Sequence, residues 1–258
     1  MAAVSTGAPM VTISGDSPEV VELLLAVRGG DVEMVRRLIS HNAHLTTARL
    51  SGRRGGTSTA LHFVTDWPGY FPNGPTLVHL LVDAGADPNA LTTAGDADGP
   101  GPGSETPLHY AASSDDVDVA AALIDRGAHL ETPDGSIGTP LDNAVGYACW
   151  SVARLLVARG ARVDKVWHAA ALGMLDRLEQ LLVRETDPEL ISQGFWHACG
   201  ASQRRAAERL LVAGADLDWE PDYADGTALD AATGLATRQT NVIEWLHSIG
   251  ARSAEAKT

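Results

Sequence analysis

The stretch Leu-Leu-Val-Asp-Ala-Gly-Ala-Asp-Pro-Asn at 80–89 is followed by Thr-Pro-Leu-His-Tyr-Ala-Ala at 106–112. The first phrase recurs as ALIDRGAHLE (122–131), LLVARGARVD (155–164), LLVAGADLD (210–218) and WLHSIGARS (245–253), with RLISHNAHL (37–45) as a degenerate copy. The second recurs as TALHFV (59–64), TPLDNAV (139–145) and TALDAA (227–232). Self-similarity at a period near thirty residues marks a repeat architecture. Each period reads as two short helices. The threonine caps the first helix and proline fits its first turn. The paired alanines let neighbouring helices approach closely. The leucines form the buried stripe of the second helix, and Gly-Ala ends it with a left-handed cap. One pair cannot bury its own apolar face, but stacked pairs can.

These phrases together resemble the ankyrin repeat family. The resemblance implies an all-α fold, an ankyrin-repeat solenoid of stacked helix-turn-helix pairs joined by β-turn fingers. Seven repeats are counted, in a single domain over 19–252, with an N-terminal flexible segment at 1–18 and a tail at 253–258. The first, fifth and sixth repeats lack the Thr-Pro-Leu-His opening. The resemblance also implies a protein-interaction scaffold that binds its partner through a concave groove and fingers. In the family's terms, His62 and His109 are structural and bond the backbone near the turn.

Composition narrows the partners. The 258 residues are 45% apolar and only 5% aromatic, and the formal net charge is −14. That charge argues against nucleic acid, which demands a basic face, and against an anionic membrane surface. It suits a partner protein with a basic segment, or a neutral small molecule. The N-terminal MAAVSTGAPMVTISGDSP has no basic stretch or long apolar run, so no signal peptide is read. Cys149 and Cys199 lack CxxC spacing and read as buried thiols in a reducing compartment, hence a cytoplasmic protein. Lysine occurs only at 165 and 257 while arginine is abundant, a bias that points to a bacterial, high-GC genome.

The tripeptide Trp-His-Ala occurs at 167–169 and 196–198, in adjacent repeats. Aligned on Leu-Leu and Gly, Trp167 and Trp196 take the structural histidine's place as packing residues, and His168 and His197 fall one place later. One helical step turns a side chain by about 100°, so both histidines are expected to face the groove. The same fifth place reads Leu25, Phe63, Tyr110, Asn143, His168, His197, Ala231 through the repeats.

Asp66-Trp67-Pro68-Gly69-Tyr70-Phe71-Pro72-Asn73-Gly74-Pro75 is an insertion between the two helices of the second repeat. Trp67 and Phe71 either fold back over helix ends or make a wall beside the groove. Two long fingers, 46–58 with Arg53-Arg54 and 91–105, read as spacers. The finger is nearly absent at 160–164, implying a notch beside His168. The acidic run Asp115, Asp116, Asp118 reads as charge favourable to a helix N-terminus.

The expected binding residues are therefore Phe63, Asp66, Trp67, Tyr70, Tyr110, Asn143, Tyr147, His168 and His197. The alternative is a small-molecule binder or a non-metal acid/base enzyme of isomerase, cyclase or hydrolase type. Its pocket would be built around Tyr110, Asn143, His168 and His197, with Asp142 as a further acid or base. No phosphate loop, GxSxG or HExxH is present. Two histidines without a third ligand make no metal site, and no cofactor is expected.

Overall fold

The computed structural model describes residues 11–52, 55–93, 103–133, 135–234 and 240–257. Arg53, Arg54 and most of the 91–105 finger lie outside the described residues. The chain divides into two compact units, the first ending at Ala161 and the second beginning at Arg162, inside the shortened 160–164 connection.

The first unit stacks helix pairs. These are α1 (Pro18–Gly29) with α2 (Val32–His41), followed by the short α3 (His44–Thr47); α4 (Ala60–Thr65) with α5 (Gly74–Asp83); α6 (Pro107–Ser113) with α7 (Val117–Asp125); and α8 (Pro140–Gly146) with α9 (Trp150–Ala158). The second unit holds α10 (Val166–Ala171) with α11 (Leu175–Leu182), α12 (Pro188–Gly200) with α13 (Arg204–Val212), and α14 (Ala228–Thr233) with α15 (Thr240–Ser248). Within the first unit α4 packs against α1, α5 and α6, and α6 against α8; within the second α12 packs against α10, α13 and α14.

The repeated phrases do what their chemistry requires. Thr59, Thr106, Thr139 and Thr227 are the N-caps of α4, α6, α8 and α14. Gly85 and Gly214 end α5 and α13 at φ 100° and 102°. The alanine after each glycine then donates back to the helix, Ala86 to Leu81 O and Ala215 to Leu210 O, both near 3 Å. Leu81, Leu123 and Leu156 in the first unit, and Leu210 and Leu246 in the second, are fully buried, forming the apolar stripe that holds neighbouring pairs within each unit.

Among the described residues, three short strands add to the helical fold: β1 (Thr12–Ser14), β2 (Arg49–Ser51) and β3 (Thr57–Ser58). β2 runs parallel to β1 and antiparallel to β3. The 46–58 finger is thus more than a spacer. Its described ends form a sheet with Thr12–Ser14, inside the segment read as flexible, and Thr57 bridges to Thr93 on the next finger. The Thr/Ser-rich, β-branched composition of these ends suits a small exposed ladder.

In α4 and α6 the histidine at the fourth place bolts its pair to the loop before the next one. His62 Nε2 donates to Glu105 O (3.0 Å) and His109 Nε2 to Gly138 O (3.0 Å). A carbonyl can only accept, so each Nε2 carries the proton and each Nδ1 accepts. Nδ1 of His62 takes the Thr59 hydroxyl (2.9 Å), and Nδ1 of His109 takes that of Thr106 (2.8 Å). Both rings are buried. Burial pushes the pKa of His62 down to about 4, and that of His109 down as well. Asp142 and Asp230 occupy the same place in α8 and α14. There a carboxylate oxygen accepts from the capping threonine's N–H and hydroxyl.

Candidate functional site

In the first unit, Asp66, Trp67, Tyr110 and Tyr147 line one cavity of about 260 Å³, together with Thr65, Glu105, Ser113, Ser114 and Ser136. Four of the residues picked out in sequence are thereby brought together. Tyr110 comes from α6, facing the imidazole of His62 edge-on at 5.1 Å. Burial, then the charges of Glu105 and Asp66, raise its phenol pKa, so Tyr110 keeps its proton and can donate. Tyr147 caps α8 and is 53% exposed.

Trp67 stands at the rim, 77% exposed, carried by the insertion. The insertion itself is pinned at both ends. Asn73 Nδ2 donates to Gly30 O (2.9 Å), and Tyr70 N donates to Asp116 Oδ2 (2.6 Å). The Tyr70 hydroxyl donates to Asp115 O, and Arg28 pairs with Asp66 at 2.9 Å. The insertion thus packs over the turns of neighbouring pairs, while Trp67 does not fold back over helix ends and stands exposed at the cavity rim. Phe71 and Phe63 are half-buried. The acidic run is structural, as read. Asp116 caps α7 by accepting from Val119 N, and Asp115 accepts from Val152 N at the start of α9.

Glu105 is the residue that sequence reading passed over, because it lies in the finger taken as a spacer. Its Oε1 accepts from Asn143 Nδ2 (2.6 Å) and from the Ser136 hydroxyl (2.7 Å) and N–H (3.3 Å). Its Oε2 has no hydrogen-bond partner among the described residues. A signal was present. Glu105 immediately precedes the capping Thr106, where Ser58, Gly138 and Gly226 precede the other capping threonines. It is the single charged residue at that place, and its carbonyl is the one bolted by His62.

Asn143 is fully buried beneath the cavity instead of lining it. Its Nδ2 holds Glu105 and also Ser113 Oγ (3.1 Å), while its Oδ1 is buried without a partner among the described residues. The side chain is held by its donor end alone. Asp142 stands apart from the cavity, its Oδ2 committed to Thr139.

His168 and His197 lie in the second unit and depart from the expected groove-facing placement: both are buried. The reason is aromatic packing. The His197 ring lies between Trp167 (4.8 Å, 31°) and Tyr223 (6.3 Å, 22°). His168 meets Trp167 edge-on at 4.3 Å. His197 Nε2 sits 3.2 Å from the Tyr223 hydroxyl. Burial, and next the proximity of His168, push the His197 pKa down to about 3, so the ring stays neutral. Trp196 fills the structural histidine's place as expected and adds a bond, its Nε1 donating to Gly226 O at 3.1 Å.

Cys149 and Cys199 are buried free thiols with raised pKa values, Cys149 to about 11. Such thiols are poor nucleophiles. Among the described residues, no three of His, Cys, Asp and Glu gather so as to hold a metal ion. No helix there is long and apolar enough to cross a membrane.

The family model described as ankyrin repeats, in three copies, matches residues 70–167. Among solved structures, the chain is similar to the ankyrin repeat domain of Bcl-3, described as a unique member of the IkappaB protein family. The identity is 26% and the TM-score 0.50, over 91% of this chain and 100% of that one. The human ASB11 ankyrin repeat domain is 22% identical, with a TM-score of 0.43, over 76% of this chain and 85% of that one. The family match over 70–167, the Leu-Leu…Gly-Ala and Thr-Pro-Leu-His phrases, and the capped helix pairs they form show an ankyrin-repeat fold.

Proposed function

We propose that this chain is a protein-interaction module whose first-unit pocket receives a cationic side chain from a basic segment of a partner protein. Ankyrin repeats are commonly protein-interaction domains, which sets the class. The observation that carries the rest is the Glu105 carboxylate. Asn143 and Ser136 hold one of its oxygens and leave the other to a ligand. Around it stand the rings of Trp67, Tyr110 and Tyr147, with a second carboxylate from Asp66, which pairs with Arg28, and no Lys, Arg or His among the described lining residues. Aromatic faces attract cations by about 0.5–2 kcal/mol each. A charge-assisted hydrogen bond adds roughly 1.5–3 kcal/mol.

One side chain bound this way reaches only about millimolar affinity, since 1 mM corresponds to about −4 kcal/mol. The flanking segment must add further contacts, and the net charge of −14 speeds encounter with a basic partner. The free thiols suit a reducing compartment such as the cytoplasm.

The test is an NMR titration with blocked Gly-Gly-Arg-Gly-Gly and, as control, blocked Gly-Gly-Gln-Gly-Gly. The arginine peptide is expected to shift the Trp67 indole resonance at millimolar concentration, and Glu105→Gln to remove the effect. Equal shifts by both peptides, or an unchanged response in Glu105→Gln, would sink the reading.

A further inference from the structure

The second unit holds a larger cavity, about 520 Å³, whose walls involve neither Glu105 nor the insertion. It falls where two fingers are missing. Asp164 and Lys165 lead straight into α10, and α12 begins at Pro188, two turns earlier than the first helices of its neighbours. The extra turns of α12 bring Leu190 and Gln193 to the cavity wall. We propose that this cavity binds a small apolar carboxylate.

The apolar side is made by Val166, Trp167, Leu181 and Leu190. Leu190 is 41% exposed there, an apolar surface that water covers at a cost. The volume falls within the range of small-molecule pockets, about 300–1,000 Å³. The wall is also preorganised, and the repeated Trp-His-Ala is what fixes it. Trp167 packs on His197 and His197 on Tyr223. The Tyr223 hydroxyl in turn accepts from Gln193 Nε2 at 3.1 Å. One ring stack thus sets both the largest apolar wall and the amide beside it.

The polar side favours an anion. Lys165, Arg177 and Arg184 reach the cavity. Arg177 is held in place by Val163 O (2.7 Å) and Gln180 Oε1 (3.2 Å). Arg184 makes no ion pair among the described residues. Lys165 Nζ lies over the Trp167 ring at 5.7 Å. Two carboxylates, Asp164 and Glu185, also line the site, but Glu185 Oε1 accepts from Asp187 N. Three cations against two acids give a locally positive rim on a strongly acidic chain. A carboxylate can pair with that rim while its apolar body covers Trp167, Leu181 and Leu190. A guanidinium donates paired hydrogen bonds to a carboxylate in fork geometry, which an alcohol cannot match and an ammonium opposes.

Isothermal titration of the full chain with decanoate, decanol and decylammonium tests this. One decanoate is expected per chain, about tenfold tighter than decanol, with no measurable decylammonium binding. Arg184 and Leu190 are exposed, so Arg184→Glu and Leu190→Glu leave the fold intact, as circular dichroism will report. Each is expected to weaken decanoate by about fivefold or more. Decylammonium binding as tightly as decanoate would overturn the proposal. So would decanoate binding that neither variant weakens, or no decanoate binding at about 1 mM.

Discussion

Trp196 donates its indole Nε1–H to the carbonyl of Gly226 at 3.1 Å. The acceptor is the residue just before the capping Thr227, as Glu105 precedes Thr106 and Gly138 precedes Thr139. Those carbonyls take the imidazole protons of His62 and His109. An indole here performs an imidazole's structural task, and it does so without a titratable nitrogen.

Trp196→Phe keeps an aromatic ring but removes that donor. The loss is expected to cost about 1–2 kcal/mol, the value of a hydrogen bond whose acceptor is left behind. Trp67→Phe, at a position 77% exposed, is expected to change stability by less than about 0.5 kcal/mol. Urea denaturation midpoints of the two variants check this. Equal effects would contradict the assignment of Trp196 as an inter-repeat bolt.

Where the fourth place is an aspartate, in α8 and α14, the residue before the capping threonine is glycine, Gly138 and Gly226. Gly226 has φ 90°, and a Cβ there would meet the Asp230 Cβ at 2.6 Å. Gly226→Ala is therefore expected to cost about 1–3 kcal/mol through backbone strain and crowding. Gly214→Ala, also at positive φ but with open space around it, carries the strain alone and should cost less. The difference in their urea midpoints measures the crowding.

Asn143 and Ser136 both orient Glu105, yet one is buried and the other exposed. Ser136→Ala is expected to weaken binding of an arginine peptide by a few-fold while changing stability by less than about 0.5 kcal/mol. Asn143→Ala is expected to weaken binding and also to cost about 1–3 kcal/mol, because its half-buried partners Glu105 and Ser113 lose their bonds inside the fold. Titration and thermal melting together separate the two roles.

The buried histidines give the fold a pH dependence. The pKa of His62 is lowered to about 4, and that of His197 to about 3, from 6.5. The unfolded chain takes up these protons first, so stability is full above pH 6.5 and falls as pH drops toward 4. By linkage, His62 accounts for up to about 3 kcal/mol of the loss. Urea midpoints should fall between pH 7 and pH 5.5, above the range where carboxylates titrate. His62→Gln, which is neutral at every pH, should flatten part of the slope. A midpoint constant over that range would contradict the burial argument.

Much of the fold could be read from sequence because its determinants are local. Thr106-Pro107 and Gly85-Ala86 specify a cap and a left-handed turn within a few residues, and the leucine stripe adds the packed face. Trp67, Tyr110 and Tyr147 could likewise be picked out singly as binding candidates, but of the pocket expected around Tyr110, Asn143, His168 and His197 only Tyr110 lines the cavity. What could not be read was contact between side chains far apart in sequence. Glu105 matters because Asn143, 38 residues later, reaches it. His197 is buried because Tyr223, 26 residues later, stacks on it. The groove-facing placement of the histidines considered one helix at a time and missed the ring that the next loop supplies.

The central claim is that the first-unit pocket contacts a partner protein. Trp67 and Tyr147 are both exposed, so Trp67→Ala with Tyr147→Ala removes two walls without opening the core. Wild type and this double variant should be isolated gently from the protein's own cells and compared by native mass spectrometry. The account predicts a partner protein retained by the wild type and lost from the variant, with the chain's melting temperature unchanged. Equal retention of the partner by both would place the contact elsewhere and contradict it.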